Sequence, residues 1–283
     1  MKNLYISDLD GTLLDNDGKL SDENKRQINN LIKNGLLFTV ATARTFATVI
    51  PLLDGIKMNC PVILMNGVMI YDTEKNCPLD LEIISENAKL HIFNCLKKYY
   101  ITGFVYTWNH KMTAWFENFA VPPMKTFYEA RRQRKDFVQI SSFFDIPREE
   151  KPIYFCICNT YQKLLPVYDE LRNCPELNLF FYEDIYNAGY CFLEIASCNA
   201  SKFHAAAKLR SLLQADKLIG FGDNMNDLPL QKACDEFYAV ENAHPEIKKI
   251  AAGIIDSNTN CGVIKFLESQ CSFTVENCQR NYK

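Results

Sequence analysis

The 283-residue chain has no run approaching the roughly 18 uninterrupted apolar residues of a membrane span. Its N-terminus enters an apolar strand pattern without the basic segment, apolar stretch and cleavage site of an export signal. No membrane partner is therefore expected, and the cytoplasm is the expected location. An excess of charge of one sign is also missing: the formal net charge is −3, which gives no electrostatic footprint for nucleic acid or an acidic surface. A small ligand fits this balance better. The four histidines are isolated from one another, and no HxxxH-type pair occurs. Internal repeats and low-complexity tracts are absent, and nothing in the pattern fixes an oligomeric state.

Cysteine, in contrast, is plentiful. The twelve cysteines are scattered from Cys60 to Cys278, and most sit inside apolar segments such as "YFCIC" and "GYCFLEI". That placement suits small core hydrophobes carrying reduced thiols. Cys156 and Cys158 would share one face of a strand, but no second pair or histidine cluster stands at zinc spacing. With 48% hydrophobic residues, the chain can bury a core sufficient for one large domain or two smaller ones.

The hydrophobic pattern alternates from the start. An apolar strand near 3–7 precedes a helix near 22–34, with Ser21 as N-cap and Gly35 as its stop; a strand follows at 36–41. A helical piece near 45–54 then leads to "PVILMN" at 61–66. This βαβαβ order predicts a parallel sheet with helices on both faces and a ligand crevice outside the carboxyl ends of its strands. Asp8, Thr42 and Asn66 fall at such ends. Between about 80 and 190 the rhythm changes to aromatic-rich β-type runs with helices near 86–99 and 160–173, after which the first rhythm returns. The reading is α/β: a Rossmann-like three-layer core built from 1–80 and 190–283, interrupted by an α+β domain at 81–189. Hinges are expected near 78–85 and 184–199.

Four stretches carry candidate chemistry. In "ISDLDGTLLD" at 6–15, Asp8 and Asp10 stand one residue apart at a strand exit, where two like charges need either solvent or a cation, or else simply form a capped turn. "ATAR" at 41–44 puts the Thr42 hydroxyl just past a buried strand, which an ordinary turn also explains. Lys202 opens a helix, where its charge opposes the macrodipole and a solvated surface lysine is the plain alternative. "GFGDNMND" at 220–227 places Asp223 after an apolar strand and Asp227 four residues on, in a pattern that a glycine turn with a cap would share. Taken together they occupy one crevice and hold what a phosphate ester requires: carboxylates, a cationic group, a hydroxyl and hard oxygen ligands for magnesium.

The ordered set "DLDGTLL", "ATAR", a lysine near the start of a late helix, and "GDNMND" resembles the haloacid dehalogenase superfamily, specifically the Cof-type phosphatases of subfamily IIB. "NGVMIYD" at 66–72, "NAHPEIKKIA" and "NCGVIKFLE" extend the resemblance over essentially the whole chain. It implies a Mg2+-dependent phosphatase acting on a small phosphorylated metabolite, such as a sugar phosphate or a phosphorylated cofactor. By the same resemblance Asp8 is the nucleophile, and Asp10 is the general acid and base whose backbone carbonyl also reaches the metal. Thr42 and Lys202 hold the phosphoryl oxygens, with Asn226 a further substrate contact. Asp223 is a metal ligand, and Asp227 orients Lys202 from behind. The inserted domain would close over the core as a cap and set substrate identity, with Tyr106, Trp108 and Trp115 as candidate pocket aromatics and "RRQRK" at 131–135 as a candidate anion contact. Packing and a solvated basic face are the plain readings of those residues. Ala43 and Phe203 replace glycines of the pattern, and the bulk of Phe203 bears on the geometry around Lys202. Alternatives of different kind are a phosphomutase of the same subfamily and a catalytically silent binding protein.

Overall fold

The computed structural model describes residues 2–131, 136–184 and 187–270. The chain divides into two compact units, one running to Asp80 and resuming at Ser201, the other spanning Leu81–Ala200.

The first unit begins with β1 (Asn3–Ser7), α1 (Asp22–Lys33), β2 (Leu37–Val40), α2 (Phe46–Leu53), β3 (Val62–Leu64), β4 (Met69–Asp72) and β5 (Cys77–Leu81). Ser21 caps α1 by accepting a hydrogen bond from the Asn24 amide at 3.1 Å, and the Gly35 amide donates back to Ile32 at the other end, as the sequence predicts. In the second unit, α3 (Glu86–Lys98), β6 (Phe104–Asn109), β7 (Lys111–Phe116), α4 (Pro122–Glu129), β8 (Phe137–Gln139), β9 (Lys151–Thr160), α5 (Tyr161–Leu171), β10 (Leu177–Glu183) and β11 (Tyr190–Ser197) form a six-stranded, mostly antiparallel sheet with helices. The chain then returns to the first unit with α6 (Lys202–Leu213), β12 (Lys217–Gly222), α7 (Leu228–Ala233), β13 (Glu236–Val240), α8 (Pro245–Ile250), β14 (Gly253–Ile255) and a helix at 262–270.

The first unit's main sheet is parallel, in the order β14-β13-β12-β1-β2. Its central strand, β1, is buried on both faces, which is why "LYIS" reads as a continuous run and not as an alternation. The expected β3 extension is nearly absent. β3 touches this sheet through one bridge, Ala41 to Ile63, and instead pairs with β4 in a small three-stranded sheet with β5. A second correction concerns the domain boundary. Residues 190–197 are not a hinge or the start of the core: they form β11, paired on both sides within the second unit, so that unit ends at Ala200 and not at 189. The physical reason is in the burial of "GYCFLEI", which alternates as a half-buried strand does and not as a linker. At the other end the division falls inside β5 instead of in a loop.

The second unit has its own core, in which Val105, Phe155, Ile157, Leu193 and Ile195 from the sheet meet Ile92, Leu96, Leu164 and Val167 from α3 and α5. Trp115 packs against it and donates from Nε1 to Thr107 at 2.8 Å, while Tyr106 is buried edge-on to Tyr154. Packing thus accounts for two of the three candidate aromatics, and Trp108 stands half-buried on β6. Of "RRQRK", residues 132–135 lie outside the described residues. The ten cysteines among the described residues are free thiols, and burial pushes those of Cys156 and Cys158 up, the latter to about 12, as inert core thiols require. Among the described residues, no helix is long and apolar enough to cross a membrane. Phe155 is fully buried at the centre of this core. Phe155→Ala is expected to cost the second unit about 3–5 kcal/mol in urea unfolding, against about 0.5 kcal/mol or less for Val138→Ala on an exposed edge.

Candidate active site

The register of three strands makes the site. Ser7 on β1 lies opposite Phe221 on β12 and Val40 on β2, so the residues that follow each strand leave the sheet side by side. The Asp8 amide donates to the Phe221 carbonyl at 2.9 Å and the Ala41 amide to the Ser7 carbonyl at 2.9 Å, extending the pairing one step past the strand ends. Asp8, Asp10, Thr42, Ala43, Asp223, Asn224 and Asn226 line a cavity of about 150 Å³ there. Every site residue named from the sequence is on that wall except Lys202 and Asp227, which lie behind it.

Lys202 is 1% exposed and donates from Nζ to Asp8 Oδ1 at 2.5 Å and to Asp227 Oδ1 at 2.7 Å. A cation at the first position of α6 opposes the helix dipole, and only the two carboxylates make its burial tolerable. Burial pulls the ammonium down, but Asp227 and Asp8 outweigh it and hold it above its ordinary value. Phe203 does not crowd this lysine: it is 38% exposed, with its ring against His204. Asp227 is completely buried, and its other oxygen accepts from the Asp223 and Asn224 amides at 3.0 and 3.2 Å. With both oxygens engaged, Asp227 suits a positioning role better than direct ligation.

Asp8, Asp223 and Asp227 each offer an oxygen within 4.8 Å of the others. Three carboxylates therefore crowd together beside one ammonium, which binds only Asp8 and Asp227. Burial, then the Asp227 charge, pushes Asp8 well above its ordinary value, and the same two causes push Asp223 up to about 6. Lys202 occupies Asp8 Oδ1 and Thr12 donates to Asp223 Oδ1 at 2.9 Å, which leaves the second oxygen of each for a cation. Gly11 explains the glycine of the first motif: φ is +73°, and a Cβ there would stand 2.5 Å from Asp223 Oδ2. Uncompensated negative charge and hard oxygen donors fit a divalent metal ion.

Asp10 stands apart from this cluster. Its carboxylate receives both arms of the Arg44 guanidinium, Nε to Oδ2 at 2.7 Å and Nη2 to Oδ1 at 2.5 Å. The motifs did not single out Arg44, although it is the last letter of "ATAR"; a planar two-pronged donor two residues from the candidate hydroxyl of Thr42 was the available signal. Its amide also donates to Thr42 Oγ1 at 3.1 Å, leaving the hydroxyl proton of the buried Thr42 to point elsewhere.

A model of the haloacid dehalogenase-like hydrolase family matches residues 5–267. The 5-amino-6-(5-phospho-D-ribitylamino)uracil phosphatase YwtE of Bacillus subtilis is 27% identical over 288 residues, covering 94% of this chain and 96% of that protein. Among solved structures, a haloacid dehalogenase-like hydrolase from Bacteroides thetaiotaomicron matches with a TM-score of 0.78 at 22% identity, over 95% of this chain and 99% of that one. A subclass IIB sugar phosphatase of the same superfamily matches at 0.71 and 15% identity, over 95% and 98% of the two chains. The structural likenesses carry the fold.

The crowded carboxylates have a consequence for stability in cation-free buffer. Asp223 keeps its proton up to about 6 when folded but ionises near 3.8 when unfolded, so the folded state binds more protons between these values. Stability should therefore fall as pH rises from about 4 to 6, by on the order of 3 kcal/mol from this group, and Asp8 adds in the same direction. Asp223→Asn should flatten that slope, read from cation-free urea unfolding at several pH values. An unchanged slope in the variant would contradict the assignment.

Proposed function

The chain belongs to the haloacid dehalogenase-like hydrolase family, and from that premise we propose that it is a Mg2+-dependent phosphatase of a small phosphorylated metabolite, working through a phosphoryl group carried on Asp8. The observation that supports this most is the buried Lys202 between Asp8 and Asp227. It fixes one oxygen of Asp8, favours the ionised carboxylate with its own positive charge, and leaves the other oxygen for the cavity.

In this reading the Asp8 carboxylate attacks phosphorus through one oxygen while the bond to the leaving alcohol breaks, and Asp10 gives that alcohol its proton. Water then attacks the aspartyl phosphate, Asp10 takes the water's proton, and orthophosphate leaves as Asp8 is regenerated. Thr42 donates its hydroxyl proton to a phosphoryl oxygen and Lys202 neutralises another. Asn226 is a further contact on the cavity wall. Asp8, Asp223 and the Asp10 backbone carbonyl would hold Mg2+, which would supply positive charge against the phosphoryl oxygens. Arg44 engages both Asp10 oxygens in this structure, so Asp10 carries and gives its proton only once the fork releases one of them, and Arg44 sets the carboxyl's direction without touching phosphorus. Since YwtE acts on a phosphorylated ribityl compound, a sugar phosphate or a phosphorylated cofactor is the class proposed for this chain.

Orthophosphate release from a panel of phosphorylated metabolites, as opposed to isomerised sugar phosphate, is the expected outcome. Asp8→Asn should lower turnover by about three orders of magnitude or more while leaving the circular dichroism spectrum intact, because an amide is no nucleophile. Near wild-type turnover in that variant would refute the covalent route. Chelation should abolish activity and added Mg2+ should restore it; full activity in metal-free buffer would overturn the cofactor assignment.

A further inference from the structure

Met65, Asn66 and Gly67, which follow β3, have φ values of 52°, 56° and 97°. Three consecutive residues in left-handed conformation are unusual, and two of them carry a Cβ that disfavours it. Both are buried, Met65 completely and Asn66 at 5% exposure, so solvent does not relieve the conformation. The turn grips two separate parts of the site. The Asn66 amide donates to the Thr42 carbonyl at 2.9 Å and the Met65 amide to the Arg44 carbonyl at 3.0 Å, which fixes the loop that carries Thr42. On its other side Gly67 abuts Ser201, the N-cap of α6; a Cβ on Gly67 would fall 2.2 Å from the Ser201 carbonyl oxygen and 2.9 Å from its nitrogen. The next residue is Lys202. Asn66 itself is not on the cavity wall, and its Oδ1 is buried without a hydrogen-bond partner among the described residues.

We propose that the left-handed turn Met65–Gly67 is a positioning element that sets the distance between the Thr42 loop and the start of α6, and so registers Thr42 and Lys202 on the same phosphoryl group. The inference rests on the phosphatase reading of the site. In this left-handed conformation the successive Met65 and Asn66 amides face the Thr42–Arg44 loop while Gly67 lies close against Ser201, with no room for a Cβ. The backbone, not the Asn66 side-chain amide, holds the two parts in register. Asparagine stands at this position because it tolerates the left-handed region better than other residues with a side chain.

The test uses the full chain with p-nitrophenyl phosphate as substrate and orthovanadate as a probe of oxyanion holding. Gly67→Ala should lower kcat about a hundredfold, as expected for misplaced holding groups, and weaken vanadate inhibition by a similar factor. KM and the Mg2+ concentration for half-maximal activity should change less than about threefold, because the backbone at Asp8 is held by β12 and that of Asp223 follows β12, not the turn, so a loss of binding alone would not reproduce the pattern. Asn66→Gly, which keeps the left-handed region open, should stay within about threefold of wild type, whereas Asn66→Ala should lose about tenfold in both kcat and vanadate affinity. Equal losses in Asn66→Gly and Asn66→Ala would overturn the proposal by showing that the side chain is what matters. So would wild-type kcat and vanadate inhibition in Gly67→Ala. If Gly67→Ala does not fold, the ratio between the two Asn66 variants decides alone. Asp8→Asn run alongside separates the two levels: its retention of activity overturns the phosphatase reading, whereas its inactivity with unaltered turn variants overturns only the positioning role.

Discussion

Two carboxylates, Asp8 and Asp227, bind one buried lysine while a third, Asp223, crowds against them, and the strand exits of the first unit hold that set in place. Lys202 brings one positive charge to Asp8, Asp223 and Asp227, and burial, then the charge of Asp227, raises the Asp8 and Asp223 carboxyls. A structure selected for stability alone would not bury this set, since well-packed apolar residues of the same volume hold a core at least as well. The cost of the cluster is a standing attraction for cations. It is also a measure of how strongly the site must oppose a negatively charged substrate until that charge is offset.

The sheet supplies the geometry with few specialised parts. Because β1 lies between β2 and β12 in a parallel arrangement, three strands that are far apart in sequence end at the same level, and the first residues beyond them fall into one crevice. Supporting contacts then lock each carboxylate to a different part of the chain: Asp8 to α6, Asp223 to Thr12, Asp227 to the amides of its own turn, and Asp10 to Arg44. Each ionic group has a defined partner, which limits reorganisation when charge develops at the centre.

Much of this is legible in the chain because the strands of the first unit are short apolar runs with their chemistry directly after them. Ser21 and Gly35 mark α1, and the motif stretches mark Asp8, Thr42 and Asp223, because caps and strand exits are local signals. What the chain does not spell out is non-local. β3 has the composition of a core strand but turns away into the small sheet with β4, and composition carries no record of partner choice. "GYCFLEI" reads as a β-type run, yet the hinge and boundary expected around 184–199 cut through it, because the sheet that claims 190–197 is completed only by β9 and β10. Arg44 escapes notice because a lone arginine has no periodic signature, and the left-handed turn at Met65–Gly67 because φ is written in the sequence only where glycine stands.

Whether the carboxylate held by Lys202 is the one that accepts the phosphoryl group can be measured directly. The enzyme is quenched rapidly in acid while turning over a 32P-labelled phosphate ester, then digested, and the labelled peptide is mapped by mass. A transient, hydroxylamine-sensitive label is expected on the peptide that contains Asp8, absent from Asp8→Asn and building up when hydrolysis is slowed in Asp10→Asn. Steady turnover with no protein-bound label in either the wild type or Asp10→Asn, or with the label on another residue, would contradict it.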